Sequence, residues 1–417
     1  MTTSLASTEF APATQTELAR FLRENARGER RALMPVGGRT ALHYGFPLSR
    51  DALRLSTARL TRVVDYPARD MTITVEAGLR IDDLAATLRT ERQQLAIDVP
   101  QSNRATVGGT IACNTSGPRR FGYGTLRDSV IGISAVDSSG RLFKAGGRVV
   151  KNVAGYDLCK LLVGSLGTLA VVTQATFKLR PVPETMLFLW ATFDSLAILD
   201  EVLGRLITSG ARPVAVEVLN PVAAQEIAAE ARQDLPADRP VLAVAVEGAE
   251  ADAAWQLERL AMELTALHPL SIDALTQEES TSLLAALTEF PTISDDPLTF
   301  KAILSASKTI EFIGRATAAD VSIVAHAANG IVIGHLPDTT ATVEQAETLL
   351  APLRSFVRRH RGNLIILNCD AEWTARLPMF GEPEPSWPLM RKLKETLDPH
   401  GLLNPGRFID GAIERAL

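Results

Sequence analysis

Residues 100–117 read PQSNRATVGGTIACNTSG, and this run limits the fold more than any other part of the chain. Glycine lets a backbone approach a ligand closely and take positive φ. Successive backbone N–H groups in such turns form nests that suit an anion such as a pyrophosphate. A second stretch, Pro35-Val36-Gly37-Gly38-Arg39-Thr40, repeats the theme, and the hydroxyls of Thr40, Thr106 and Ser116 offer further donors. Neither stretch is a GxGxxG sequence opening a helix after a strand, and no GxxxxGK followed by Ser or Thr occurs, which excludes the Rossmann fingerprint and the P-loop. Taken singly, each stretch also fits an ordinary tight turn.

A chain of 417 residues exceeds one ordinary hydrophobic core. A net charge of −5 and an aromatic content of 5% argue against a nucleic-acid surface. The three cysteines, Cys113, Cys159 and Cys369, form no CxxC pair, so a disulfide framework, a zinc site or an iron–sulfur cluster is not expected and any redox group must be organic. The N-terminus lacks a basic start before an apolar run, and no stretch of about 18 uncharged apolar residues occurs. A cytoplasmic protein is therefore expected, with attachment at the inner face of the membrane left open through partners.

Periodicity places a helix over 14–24, a strand over 31–36, a half-buried strand over 71–77 and a helix from Ile81 through Leu84 and Leu88. Strands follow at 129–136 and 141–145, joined by the turn Asp137-Ser138-Ser139-Gly140, and a long strand runs over 168–179. Pro181 and Pro183 mark a boundary. Beyond it, strands at 186–192, 213–219, 241–247, 300–304, 321–336 and 364–368 alternate with helices through Leu199–Leu206, Ala253–Leu267, 308–318 and 340–359. This is an α+β layer rather than a doubly wound nucleotide fold. A proline-bearing crossing loop, 369–388, leads to a helix at 389–397. The expected division is 1–183, 184–388 and a C-terminal segment, 389–417, that returns to the first domain.

Three further runs complete the set: FGYGTLRDSVIG at 121–132, GGRVVKNVAGYDLCKLLVGSLGTL at 146–169, and Asp398-Pro399-His400-Gly401-Leu402-Leu403-Asn404-Pro405-Gly406-Arg407. Five such motifs in this order resemble the FAD-binding family related to vanillyl-alcohol oxidase and p-cresol methylhydroxylase. Within it, the runs at 121–132 and 146–169 look close to the smaller flavin subunits of glycolate-oxidising complexes. The resemblance spans nearly the whole chain and is strong over 31–181 and 389–408. It implies a two-subdomain PCMH-type FAD-binding domain, followed by an α+β cap with ferredoxin-like strand and helix units.

The same resemblance implies residue roles. Pro35, Gly37, Gly38, Arg39 and Thr40 would sit on the pyrophosphate. Thr106, Gly108, Gly109, Ala112, Asn114 and Gly117 would wrap the pyrophosphate and the flavin edge. Arg127 and Asp128 would lie beside the cofactor, and Gly167, Thr168 and Val172 would meet the adenosine half with backbone atoms. Asn404 and Arg407 would return to the isoalloxazine from the far end of the chain. Some relatives link FAD through a first-loop histidine; here that loop reads Gly38-Arg39-Thr40, so non-covalent FAD is expected, with nearby His43 a weak candidate. Where many relatives have Gly-Thr-Leu-Gly, this chain has Gly167-Thr168-Leu169-Ala170.

Relatives that oxidise 2-hydroxy acids often carry a motif resembling His-x-Gly-Asp-Gly-Asn-x-His. The comparable stretch runs from His326 to His335, and two histidines nine apart on alternating apolar strands do not make a ligand set, so no metal is expected. The catalytic base is not visible, and Arg127 and Arg407 are the candidate partners of a substrate carboxylate. The loop bearing Lys151, Asn152, Tyr156 and Asp157 is either a substrate or partner surface or a loop-shaping contact. Arg358, Arg359 and Arg361 end a helix, where cations suit the dipole. The implied function is that of the FAD-binding subunit of a glycolate (2-hydroxy acid) oxidase or dehydrogenase complex, with a second flavin subunit and an iron–sulfur subunit as partners. The alternatives are a self-sufficient FAD-dependent oxidoreductase of another alcohol or hydroxy acid, and a flavin-bearing structural subunit.

Overall fold

The computed structural model describes residues 9–148, 157–292 and 296–408. The chain divides into two compact units. The first draws on Met1–Thr115, Thr125–Val182 and Glu382–Leu417, the second on Ser116–Gly124 and Pro183–Gly381. The loop residues Lys151, Asn152 and Tyr156 lie outside the described residues.

The first unit holds two principal sheets. The strands β1 (Glu9–Phe10), β2 (Ala32–Val36) and β3 (Ala52–Ser56) form a small parallel sheet in the order β1-β3-β2. The second sheet is antiparallel and uses β4 (Val63–Asp65), β5 (Thr72–Glu76), β7 (Val130–Val136), β8 (Leu142–Gly146) and β9 (Val171–Lys178), in the order β4-β5-β9-β7-β8. A short pair, β6 (Gln93–Gln94) with β10 (Arg180–Pro181), lies apart from both. The first helix, Gln15–Arg27, starts where the Thr14 hydroxyl accepts from the Glu17 N–H. Its Leu18 and Leu22 are fully buried against Leu33, Leu55 and Leu403, about 1.5–3 kcal/mol for each side chain.

Two local expectations change. The strand over 71–77 was expected to be half-buried, yet every residue of β5 is buried. Its polar positions are satisfied internally: Thr74 shares a 2.9 Å hydroxyl contact with Thr176, and the Glu76 carboxylate accepts from the Arg62 N–H and guanidinium. A helix also occupies Val107–Cys113, inside the run read as a glycine-bearing turn. Thr106 is its N-cap, accepting from the Gly109 N–H, and Asn114 closes it in the left-handed region at φ 51°.

The second unit is built on one eight-stranded antiparallel sheet. Its strands are β11 (Thr185–Thr192), β12 (Ala215–Leu219), β13 (Val241–Gly248), β14 (Ser271–Ala274), β15 (Leu298–Ile303), β16 (Ser322–His326), β17 (Ile331–His335) and β18 (Asn363–Cys369). They lie in the order β14-β11-β13-β12-β16-β17-β15-β18. Two helices absent from the sequence expectation, Pro221–Glu230 and Gln277–Glu289, supply Ala223, Ile227, Leu283 and Leu287 to the core over Trp190, Ala243 and Val324. Both helices have a capping signal: Asn220 accepts from the Ala223 N–H, and Thr276 with Glu279 forms a capping box. Ser116–Gly124 joins this unit as a strap. The Gly122 N–H donates to the Val214 carbonyl at 3.0 Å, and the Glu247 carboxylate receives both Arg119 and the Tyr123 hydroxyl. The molecule is thus α+β throughout.

Candidate functional site

Within the first unit, four segments far apart in sequence converge. A Cβ on Gly37 would lie 2.1 Å from the Thr106 hydroxyl oxygen, and one on Gly38 would lie 1.8 Å from the Arg104 carbonyl. The two glycine stretches therefore lie in close backbone contact, which only glycine permits. Gly167, at φ 64°, abuts both other ends of the site: its added Cβ would sit 3.2 Å from Asn404 Nδ2 and 3.6 Å from Pro35 Cβ. Leu403 bridges Leu33 in parallel register, and the Asn404 N–H donates to the Leu33 carbonyl. The C-terminal run thereby lengthens the small parallel sheet beside β2.

Left-handed residues concentrate in these segments: Arg39, Gln101, Asn114, Leu166 and Asn404 all have positive φ. Such conformations persist only where surrounding contacts over-determine them. Here the 164–166 turn is docked on the end of the Val107–Cys113 helix, with Gly164 and Leu166 donating to the Ile111 and Ala112 carbonyls. Asn404 Nδ2 donates to the Leu166 carbonyl at 2.8 Å. The Arg407 guanidinium donates to the Leu42 and Tyr44 carbonyls at 2.6 and 2.8 Å. Burial pulls its pKa below the ordinary arginine value, as expected for a desolvated cation held by neutral acceptors.

Three buried polar atoms of this cluster have no hydrogen-bond partner among the described residues: Asn114 Oδ1, Asn404 Oδ1 and Arg407 Nε. A protein interior seldom leaves such atoms unmet. The two amide oxygens call for ligand donors, hydroxyl or N–H, and the half-compensated guanidinium for an anion; with the open side of Gly109, whose added Cβ would meet only the Thr106 hydroxyl oxygen at 3.4 Å, they fit a ligand of dinucleotide type that carries both. FAD is such a ligand.

The expected residues divide by role. Pro35, Gly37, Gly38, Thr106, Gly109, Ala112, Asn114, Gly167, Asn404 and Arg407 belong to the convergent cluster. Gly108 packs inward: its N–H donates to the Ala77 carbonyl at 2.7 Å, and an added Cβ would meet Ala77 at 3.0 Å. Arg39 is exposed and paired with Glu9, while Thr40 follows it in the same loop. Thr168 is buried, its hydroxyl donating to the Ser165 carbonyl, and Val172 packs its side chain in the core of the five-stranded sheet. Asp128 caps the short helix Leu126–Ser129 by accepting from the Thr125 N–H and hydroxyl, and Arg127 beside it is exposed. Gly117 belongs to the strap in the second unit.

The second unit has a polar cluster that sequence reasoning missed. His326 Nδ1 lies 2.8 Å from both carboxylate oxygens of Glu217, across the β12–β16 pairing, and both side chains are buried. The signal was a single carboxylate inside the apolar strand Ala215–Leu219. His335 is held separately, by the Phe290 carbonyl, Asp296 and Thr299. Because β16 and β17 pair Ser322 with His335 and His326 with Ile331, the two histidines occupy opposite ends of the strands. No group of three metal-binding side chains converges among the described residues.

Residues 7–146 match the family of FAD binding domains, and residues 379–408 match the C-terminal domain of FAD linked oxidases. The chain is 26% identical to the glycolate oxidase subunit GlcD of Bacillus subtilis, over 97% of this chain and 89% of that protein. It is 35% identical to the glycolate oxidase subunit GlcE of Escherichia coli, over 38% of this chain and 45% of that protein. It is 36% identical to a D-2-hydroxyglutarate dehydrogenase of Xanthomonas citri, over 40% of this chain and 36% of that protein. In fold it is similar to p-cresol methylhydroxylase, with a TM-score of 0.74 over 96% of this chain and 88% of the other at 14% identity. With the convergent cluster and these likenesses together, the chain is an FAD-dependent oxidoreductase whose residues 7–146 and 379–408 are similar to FAD binding domains and FAD linked oxidases, and whose fold is similar to that of p-cresol methylhydroxylase.

Proposed function

We propose that this protein oxidises a small 2-hydroxy acid of the glycolate, D-lactate or D-2-hydroxyglutarate class, as the FAD-binding subunit of a glycolate-type oxidase or dehydrogenase complex. The observation that carries the flavin part is the trio of unpartnered buried atoms, Asn114 Oδ1, Asn404 Oδ1 and Arg407 Nε, at the meeting of four loops. FAD, when bound, supplies the acceptor for the hydride of the carbinol carbon. The first-loop segment around Gly38 and Arg39 carries no histidine, which supports non-covalent retention of the cofactor. The glycolate oxidase subunits and the D-2-hydroxyglutarate dehydrogenase named above carry 2-hydroxy acids in their names, which supports the substrate class.

Oxidation of a carbinol also requires an acceptor for the hydroxyl proton. With three cysteines and no cluster motif in the sequence, the electrons leave to a partner subunit bearing an iron–sulfur centre, and a second flavin subunit completes the complex.

Turnover of glycolate and D-lactate with an artificial acceptor, by the purified chain alone and with its copurifying subunits, tests the reading. Flavin bound without turnover, restored by partners, supports the subunit role. Full activity of the single chain supports a self-sufficient enzyme instead. No flavin reduction by any 2-hydroxy acid in the complete complex removes the substrate assignment.

A further inference from the structure

The helix Trp387–Leu397 carries a lysine where an amphipathic helix would ordinarily bury an apolar residue. Lys394 is buried, and so is its partner Asp398. Its ammonium donates to three oxygens: the Thr168 carbonyl at 2.7 Å, the Leu403 carbonyl at 2.8 Å and Asp398 Oδ2 at 2.5 Å. Asp398 in turn accepts from the Leu402 and Leu403 N–H groups at 2.9 and 2.8 Å. A buried ion pair is often no more stable than a well-packed apolar pair, because both ions lose their hydration. The use of this pair must lie in where it holds the backbone.

The two carbonyls gripped by Lys394 belong to residues 226 and 9 positions away. Each adjoins a left-handed residue of the convergent cluster. Thr168 follows Leu166 and Gly167, at φ 51° and 64°, and Leu403 precedes Asn404, at φ 44°. Asn404 Nδ2 closes the same circuit by donating to the Leu166 carbonyl, which leaves Oδ1 as the unpartnered acceptor. A single ammonium therefore sets the spacing between the 165–168 turn and Asn404. We propose that Lys394 is a positioning residue for the flavin cradle, aligning the Gly167 turn and Asn404 for FAD without touching the cofactor. This rests on the assignment of the flavin site to the first unit.

The test titrates FAD into purified apoprotein by flavin fluorescence, with thermal melting of the same apoprotein as a separate readout. Lys394→Met should weaken FAD binding roughly ten- to hundredfold, the range expected for lost hydrogen bonds from a charged donor. The double variant Lys394→Met with Asp398→Asn removes both charges while retaining an acceptor for the Leu402 N–H. It should melt near the parent apoprotein and still bind FAD weakly, because the two carbonyls remain unheld. Asp398→Asn alone keeps the ammonium on both carbonyls and should bind FAD within about threefold of the parent. Parent-like affinity in the double variant overturns the proposal, since the pair would then only balance its own charges. Gly109→Val serves as the control: if it retains FAD the site assignment fails, whereas loss in Gly109→Val with retention in both Lys394 variants defeats the positioning role alone.

Discussion

The two units use the same unusual backbone conformation for different ends. Among the described residues of the second unit, the non-glycine residues of positive φ are Arg232, His268, Asp320 and Arg361. Each follows the C-terminal end of a helix: Pro221–Glu230, Glu250–Thr265, Thr309–Thr317 or Val343–Arg359. Left-handed residues at such positions stop helices and satisfy their last carbonyls. The first unit has such helix-ending residues too, Arg30, Met71 and Arg92, but its Arg39, Gln101, Asn114, Leu166 and Asn404 lie in segments that converge, and two of these bear the unpartnered amide oxygens. Local strain that ends an element is structural punctuation. Strain gathered from distant segments at one place marks a ligand.

The contrast can be broken most forcefully at the glycines. Gly38→Val drives a side chain into the Arg104 carbonyl and should cost more than about 3 kcal/mol, seen as loss of the cooperative melt of the first unit. Gly109→Val, with open space beside it, should instead leave the apoprotein melt nearly intact and abolish flavin binding. Equal effects of the two on folding would erase the distinction between packing and ligand-facing glycines.

A smaller effect is expected at the thiols. Burial pushes Cys159 up to about 11, so at pH 8 only about one thiol in a thousand is the reactive thiolate. The sign is that of a buried acid: the neutral thiol persists as pH rises until about 11, and only then does alkylation accelerate. Cys369 in the second unit, also pushed up to about 11 by burial, should behave alike. Half-buried Cys113, beside Asn114, should label faster in apoprotein and be shielded by FAD. Peptide mass mapping after iodoacetamide checks this, and FAD-independent labelling of Cys113 would move the ligand away from that end of the helix.

The smallest change sharpens the comparison from the other side. Gly204 lies inside the helix Leu196–Leu206, and a Cβ there would meet nothing within 4 Å. Gly204→Ala should stabilise the second unit by about 0.5–1 kcal/mol, a rise in melting temperature with flavin content unchanged.

Much of this was legible in residue order. The glycine runs, the Gly167-Thr168 turn and the Asn404–Arg407 terminus announced a flavin site because their chemistry is local. What stayed hidden depends on distance. The Gly108-Gly109 pair disguised a helix whose one visible sign was Thr106 as N-cap. Gly108 read as a ligand contact because its approach to Ala77 is a tertiary fact. The strap was unreadable because Gly122 meets Val214, and Glu247 meets Arg119 and Tyr123, across more than ninety positions. Glu217 and Lys394 carried a faint signal, a charge at a place where the periodicity called for an apolar side chain. Buried charges at such positions are seldom idle.

The return of the terminal segment to the first unit has a consequence for the chain's history. A ribosome releases the glycine runs early, but Lys394, Asn404 and Arg407 emerge only after the entire second unit. Until then the small parallel sheet lacks its added edge beside Leu33, and the cradle has no keystone. A chain without residues 394–407 would hold every early glycine motif while Leu33 has no bridge to Leu403 and the Leu166 carbonyl no donor from Asn404.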